Sequence, residues 1–125
     1  SDFRRIIFNE DLLTFADFNR EHERCLSFLK DAVSCSKARR KIVVTHHVPS
    51  FQMQCPMFAD SQANGAFTVE LEEYIKNSGI DYWIFGHSHY NVDVKIGNTN
   101  CVSNQLGYVF HGEHESFNPG KYIEV

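Results

Sequence analysis

The segment that begins at Asp81 constrains the fold of this chain more than any other. Four consecutive apolar residues, Tyr82–Phe85, are followed by Gly86 and then by His87 and His89, which are one residue apart. A short apolar run with such boundaries is typical of a strand buried on both faces of a parallel or mixed sheet. The loop after such a strand borders the crevice in which α/β sheets bind ligands. The two imidazoles therefore have two open readings: they bind a metal at this strand end, or they cap or hydrogen-bond the backbone, as histidines at strand ends often do.

A second strand of the same kind lies upstream. Lys41 is followed by Ile42–Val44, a β-branched run that favours a buried strand, and then by His46 and His47. If the two strands are parallel neighbours, their histidine loops meet at one edge of the sheet. The sequence predicts that they converge there.

The remaining elements complete an α/β pattern. We predict a first strand over residues 4–8 and an amphipathic helix that begins near Asn19. A second helix should carry Phe67 and Ile75 on one face and stop at Gly79. A hairpin should turn at residues 97–98, and residues 121–125 are expected to add a last strand. The long loop from residue 48 to residue 63 is expected to be functional or mobile.

Length and composition bound the class of protein. The chain has 125 residues, of which 42% are hydrophobic and 14% aromatic, so one core and one domain over residues 1–125 are expected. A net charge of -4 and a pI near 5.9 give no basic field for nucleic acid. No apolar stretch approaches the roughly 20 residues of a membrane span, so no membrane association is expected.

The cysteines favour a reducing compartment. Cys25, Cys35, Cys55 and Cys101 form no C-x-x-C pair, and we expect separately buried, reduced thiols in a cytoplasmic protein. A small structural zinc module built from histidines and cysteines is disfavoured, because closed zinc sites of this size usually include a close cysteine pair.

The histidines differ in what their context indicates. His46, His87 and His89 follow predicted buried strands, and three imidazoles with open coordination positions are typical of a catalytic metal site. His47 has two open readings: it contacts a substrate or orients His46, or it simply faces solvent or bonds to the backbone. His111 and His114 have neighbours typical of a surface loop.

Two segments carry a resemblance to a known family. Val43-Val44-Thr45-His46-His47-Val48-Pro49, followed by Asp81-Tyr82-Trp83-Ile84-Phe85-Gly86-His87-Ser88-His89, resembles the last two motifs of the calcineurin-like metallophosphoesterases. Asn104-Gln105-Leu106-Gly107-Tyr108 is similar to an N-P-x-G-Y stretch of that family, with Gln105 in place of proline. The resemblance covers nearly the whole chain.

The resemblance implies a fold, an activity and a cofactor. The fold would be the C-terminal half of a layered α/β/β/α metallophosphoesterase sandwich. The activity would be hydrolysis of a phosphate mono- or diester at two divalent metal ions, with Mn, Fe and Zn all open. By resemblance, His46 and His87 correspond to ligands of the second metal, and His89 corresponds to a ligand of the first.

The earlier motifs of that family do not occur in this sequence. Asp-x-His, Gly-Asp and Gly-Asn-His are absent, so the bridging carboxylate and the histidine that would protonate the leaving group are not identified, and neither is any other catalytic residue. We therefore expect a C-terminal part that needs the N-terminal half of its domain, is inactive alone and associates with copies of itself. The alternative is a non-catalytic binding scaffold with the same fold.

Overall fold

The computed structural model describes residues 2–61 and 64–125. The chain forms two compact units, one ending at Lys37 and the other spanning Ala38–Val125.

The first unit contains a short hairpin and the longer helix. A 3-10 turn, Asp2–Arg4, precedes β1 (Ile7–Phe8) and β2 (Asp11–Leu12), which pair antiparallel. Asn9 and Glu10 between them have φ of 51° and 74°, as a two-residue type I′ turn requires. The predicted strand over residues 4–8 is therefore only two residues long.

Helix α1 (Phe15–Cys35) starts earlier than predicted. Thr14 Oγ1 accepts a hydrogen bond from the backbone N–H of Asp17, and the Asp17 carboxylate accepts one from the backbone N–H of Thr14. This reciprocal capping box satisfies two N–H groups that have no partner within the helix. The predicted cap, Asn19, lies inside the helix, so that prediction is wrong by about a turn.

The second unit is built on a four-stranded mixed sheet. Its strands are β3 (Ile42–Val44), β4 (Tyr82–Phe85), β5 (Val94–Ile96) and β6 (Thr99–Ser103), in the order β3-β4-β6-β5. β3, β4 and β6 run parallel, and β5 is antiparallel to β6. The predicted α/β class, the adjacency of β3 and β4, and the β5-β6 hairpin are confirmed. The prediction that β3 is a buried strand is wrong for Ile42 and Val44, which are exposed, and holds for Val43.

The core of this unit lies around β4 and the short helix α2 (Glu72–Asn77). Trp83, Ile75 and Ile80 are fully buried, and the Thr99 hydroxyl donates to the Ile80 carbonyl at 2.6 Å. Gly79, with φ of 69°, follows the last turn of α2 as predicted. The helix is shorter than predicted, because residues 64–66 form a separate 3-10 turn and Phe67 lies outside α2.

The C-terminal segment is not the predicted strand. Lys121 Nζ donates to both carboxylate oxygens of Asp93, at 2.6 and 2.8 Å, and to the carbonyl of Ser103 at 2.7 Å. The segment is thus attached by a side chain rather than by a backbone ladder.

The loop predicted from residue 48 to residue 63 contains two 3-10 turns, Phe51–Met53 and Pro56–Phe58. Residues 62 and 63 of that prediction lie outside the described residues.

All four cysteines are free. Cys101 is buried, and burial raises the pKa of its thiol to about 11. Cys25 and Cys35 are exposed on α1, so the expectation that every thiol is buried is wrong for these two. Over the described parts of the chain, no helix is long and apolar enough to cross a membrane.

Candidate functional site

Two histidine loops meet at the carboxyl edge of the parallel strands. Backbone hydrogen bonds continue past the ladder of β3 and β4, from Thr45 N–H to the Ile84 carbonyl at 2.9 Å and from Gly86 N–H to the His46 carbonyl at 3.1 Å. Because the loops are bonded to each other, the side chains that they carry are held side by side.

A buried tryptophan fixes the first of these loops from below. Trp83 is fully buried on β4, and its indole Nε1–H donates to Thr45 Oγ1 at 2.9 Å. The Thr45 hydroxyl in turn donates to the carbonyl of His47 at 3.0 Å. The relay connects the core of the sheet to the backbone beside His46.

The imidazoles of His46 and His87 are in direct contact. His46 Nε2 and His87 Nδ1 are 2.8 Å apart, a hydrogen bond in which one ring donates and the other accepts. The ring centroids of His47 and His87 are 4.8 Å apart. The ring centroids of Phe67 and His87 are 4.7 Å apart, with an interplanar angle of 31°. The three histidines therefore form one cluster beside an aromatic side chain.

Both histidines of the G-H-S-H loop have left-handed backbone conformations. The φ angle is 72° at His87 and 52° at His89. Such angles are uncommon for residues with a Cβ and cost about 1–2 kcal/mol each. Strain of this kind persists only where surrounding contacts impose it, and it clusters at functional sites.

The surroundings of His89 are different from those of His87. Its Nδ1 lies 2.8 Å from Glu113 Oε2, and its backbone N–H donates to Gln105 Oε1 at 2.8 Å. Glu113 also accepts the backbone N–H of Tyr108 at 2.6 Å. That backbone hydrogen bond, followed by the one with His89, lowers the pKa of Glu113 below its ordinary value of 4.5, despite an opposing effect of desolvation.

A cavity of about 690 Å³ joins these groups. It is lined by histidines, by aromatic rings and by uncharged polar side chains, among them His46, His87, His89, Phe58, Phe67 and Asn64. Gln54 also lines it, and its Oε1 is buried with no hydrogen-bond partner among the described residues. Glu113 is the charged side chain on this wall. The cavity thus offers imidazole nitrogens to a ligand beside largely apolar surface.

The donor set fits part of a metal site. Two imidazole nitrogens bound to one ion at about 2.1 Å lie roughly 3.0–3.4 Å apart, close to the separation of the His46 and His87 nitrogens. Within residues 2–61 and 64–125, however, no group of three or more His, Cys, Asp or Glu side chains could hold an ion. The assignment of His46, His87 and His89 as metal ligands stays a prediction.

The comparison with protein families bears directly on this cluster. The family described as "Calcineurin-like phosphoesterase" matches residues 5–91, more than half of the chain. The chain belongs to the calcineurin-like phosphoesterase family. The matched range contains both histidine loops and stops before Gln105 and Glu113.

One curated relative is similar over most of the chain. An uncharacterized protein, L509, of Acanthamoeba polyphaga mimivirus is 29% identical over 120 residues, which are 90% of this chain and 41% of the relative. The chain thus spans about two-fifths of the length of that protein. No solved structure matches this chain.

The sequence does not identify two contributors to the site. Gln105 stands out in the sequence only as a departure from proline, and Glu113 lies within a predicted surface loop. That loop contains 3-10 turns on either side of Gly112, and His111 and His114 are exposed as predicted. The positive φ of Gly107, 63°, is compatible with a sharp turn towards the site. A single glycine six residues before Glu113 is too weak a sequence signal to identify that carboxylate.

Proposed function

We propose that the parent protein is a metal-dependent phosphoesterase that hydrolyses a phosphate mono- or diester at a dinuclear centre. This chain would contribute His46, His87 and His89 as ligands. The observation that carries the proposal is the strained G-H-S-H loop, which holds His87 against His46 and places His89 on the same cavity. Membership of the family supports it.

The residues of this chain would bind the metal ions and orient the histidine rings towards them. When bound, two divalent ions supply positive charge for the phosphoryl oxygens and activate water. Neutral imidazoles bind ions without cancelling that charge. The backbone bonds from Gly86 to His46 hold two of these rings in place, and His47 is near enough to His87 to orient the pair or to meet a phosphate oxygen.

The Asp-x-His, Gly-Asp and Gly-Asn-His motifs, which by resemblance carry the carboxylates of such a centre, do not occur in this sequence. Two neighbouring divalent ions repel one another strongly, and bridging carboxylates normally offset that repulsion. We infer that the N-terminal half of the domain supplies them and that the isolated chain hydrolyses phosphate esters negligibly, binding one ion at most, and loosely. A non-catalytic binding scaffold with the same fold is the second candidate, and the presence of His46, His87 and His89 together on one cavity disfavours it, because a scaffold has no need of three convergent imidazoles.

Metal binding tests this function on the chain itself. Mn²⁺ added to the ¹⁵N-labelled chain should broaden the imidazole signals of His46, His87 and His89 through paramagnetic relaxation. His89→Ala should weaken binding, since a catalytic ion's ligands position it. His111→Ala, on the exposed turn, is the matched control and should bind Mn²⁺ as the wild type does.

Activity belongs to the longer protein. In a protein that also carries the Asp-x-His, Gly-Asp and Gly-Asn-His motifs upstream, His89→Ala should lower the hydrolysis of bis(p-nitrophenyl) phosphate by orders of magnitude, and His111→Ala should be nearly silent. Equal losses in the two variants, or broadening centred on other residues, would mean that the wrong histidines have been chosen.

A further inference from the structure

The carboxylate of Glu113 has a geometry that suits one task. Its Oε2 lies 2.8 Å from His89 Nδ1 and accepts the Tyr108 N–H at 2.6 Å. We propose that Glu113 is a positioning residue for His89: it holds the imidazole proton on Nδ1 and thereby presents the Nε2 lone pair as the ligand atom. The use of that lone pair rests on the proposed function, whereas the placement of the proton does not.

The chemistry follows from the single N–H of a neutral imidazole. A carboxylate can only accept, so the proton of a neutral His89 must reside on the nitrogen that faces Glu113. The other nitrogen is then an acceptor and a metal ligand. Histidines that bind metals in this way almost always donate their second N–H to a carboxylate, a carbonyl or water, and loss of that partner typically weakens metal binding about 10–100-fold.

Glycine at position 107 makes the approach of Glu113 feasible. A Cβ at Gly107 would lie 2.6 Å from Glu113 Cβ, 2.9 Å from Glu113 Oε2 and 3.2 Å from His89 Cβ. The first of these contacts is with the stem of Glu113 and cannot be relieved by moving only the carboxylate. The backbone at Gly107 also has φ of 63°, which disfavours any residue with a Cβ.

Two further contacts define the position of the His89 ring. The Tyr108 ring meets it edge to face at 4.7 Å and 84°. Gln105 accepts the backbone N–H of His89, while its amide nitrogen donates to the Tyr90 carbonyl at 2.9 Å. The segment from Gln105 to Glu113 therefore holds His89 by its backbone, its ring face and its Nδ1 atom. These contacts hold the His89 ring in place although the backbone of His89 is itself strained, with φ of 52°.

The tautomer of His89 tests the proposal without any metal. In long-range ¹H–¹⁵N spectra of the 125-residue chain at pH 8, above the usual titration range of imidazole, wild-type His89 should have Nδ1 protonated and Nε2 free. Glu113→Ala should shift it towards the Nε2–H form that free histidine favours in water. Glu113→Gln, which keeps an acceptor oxygen, should restore much of the wild-type form. Glu115→Ala removes an exposed carboxylate two residues away and should change nothing.

Gly107→Ala supplies a second route to the same effect, because it should displace Glu113 and shift the tautomer while the carboxylate is still present. If this variant does not fold, the Glu113 series alone decides. An Nε2–H tautomer in the wild type, or a tautomer that Glu113→Ala leaves unchanged, would overturn the proposal.

Addition of Zn²⁺ separates this inference from the proposed function. We expect the His89 Nε2 signal to move in the wild type and binding to weaken about 10–100-fold in Glu113→Ala. If the tautomer is as expected but Zn²⁺ perturbs none of the three histidines, the proposed function fails and the placement of the proton stands. If Zn²⁺ binds wild type and Glu113→Ala equally well through Nε2, the function stands and the positioning role fails.

Discussion

At the scale of single residues, the left-handed backbone of His87 costs stability, whereas its side chain makes contacts in the candidate site. The ring of His87 contacts His46 and Phe67, and its backbone has φ of 72°. A glycine there would relieve the backbone strain but remove the imidazole. The site therefore holds a side chain that the backbone alone would not select.

Two substitutions at this position isolate the strain. His87→Ala and His87→Gly lose the same ring contacts, but only alanine keeps a Cβ at positive φ. We expect His87→Gly to be more stable than His87→Ala by about 1 kcal/mol in urea unfolding, because the left-handed region costs a residue with a Cβ about that much.

Ser88 provides the matched control, because it lies in the same loop without a positive φ. There the order should reverse, with Ser88→Gly less stable than Ser88→Ala by about 0.5–1 kcal/mol. The same order at both positions would show that the φ of His87 does not determine its stability.

The site was only partly predictable from such residues. His46 and His87 each follow an apolar run that predicts a strand of the sheet. Parallel pairing of those two strands then brings the two histidines together. Glu113 lies 24 residues after His89 in a segment with no periodicity, and nothing local links a loop carboxylate to a distant ring. Its role depends on a glycine turn and on tertiary packing, neither of which a single sequence displays.

At the scale of elements, Asp81 fastens the start of β4 to the start of β3. Its carboxylate accepts the Lys41 backbone N–H and a bond from Arg40 Nη1, each at 2.8 Å. Those two interactions, the backbone bond first, hold the pKa of Asp81 below its ordinary value of 3.8. A charged side chain thus joins β3 and β4 at their amino ends, opposite the carboxyl ends that carry the histidine loops.

The sign of the pH dependence follows from that lowered pKa. A depressed carboxyl pKa contributes stability above the ordinary value of 3.8 and loses it as pH falls towards the folded-state value. Wild type should therefore have a higher Tm than Asp81→Asn near neutral pH, and the difference should shrink below about pH 4. Thermal unfolding from pH 7 to pH 2 measures this.

Asp60→Asn is the matched control, since Asp60 is exposed in the same unit, and its Tm should run parallel to that of the wild type. A constant Tm difference between wild type and Asp81→Asn over the whole pH range would contradict a role for the charge.

Elements were predicted best where a pattern is continuous. The apolar runs of β3 and β4 and the alternation around Gly97 identified the sheet. Helix α1 was misplaced at its start because Asn19 is an acceptable cap by type, whereas Thr14 and Asp17 together form the actual box. The strand predicted over residues 121–125 is wrong: Lys121 contacts Asp93 and the Ser103 carbonyl through its side chain, and the segment forms no ladder.

At the scale of the whole molecule, β3 ends the sheet with apolar side chains exposed. Val43 is buried at 8% exposure, whereas its neighbours Ile42 and Val44 are 44% and 70% exposed. β3 pairs with β4 on one side, and the described residues provide no strand on its other side. Parallel strands are usually buried on both faces, so this edge resembles an interior surface more than an outer one.

We predict that the isolated chain associates through this edge, because an exposed apolar strand with unpaired backbone groups favours pairing with another copy. Light scattering should give a mass above 14.5 kDa that rises with protein concentration. Val44→Lys places a charge on the exposed face of β3 and should shift the mass towards the monomer without changing the fold. Phe28→Lys removes a comparably exposed apolar side chain from α1 and should leave the association in place.

If the wild type is a monomer at every concentration, or if Phe28→Lys disperses it as well as Val44→Lys does, the β3 edge is not the surface that associates. A longer protein that contains the N-terminal half should be insensitive to Val44→Lys in its mass and should instead lose stability, because in that protein the edge would be covered within one chain.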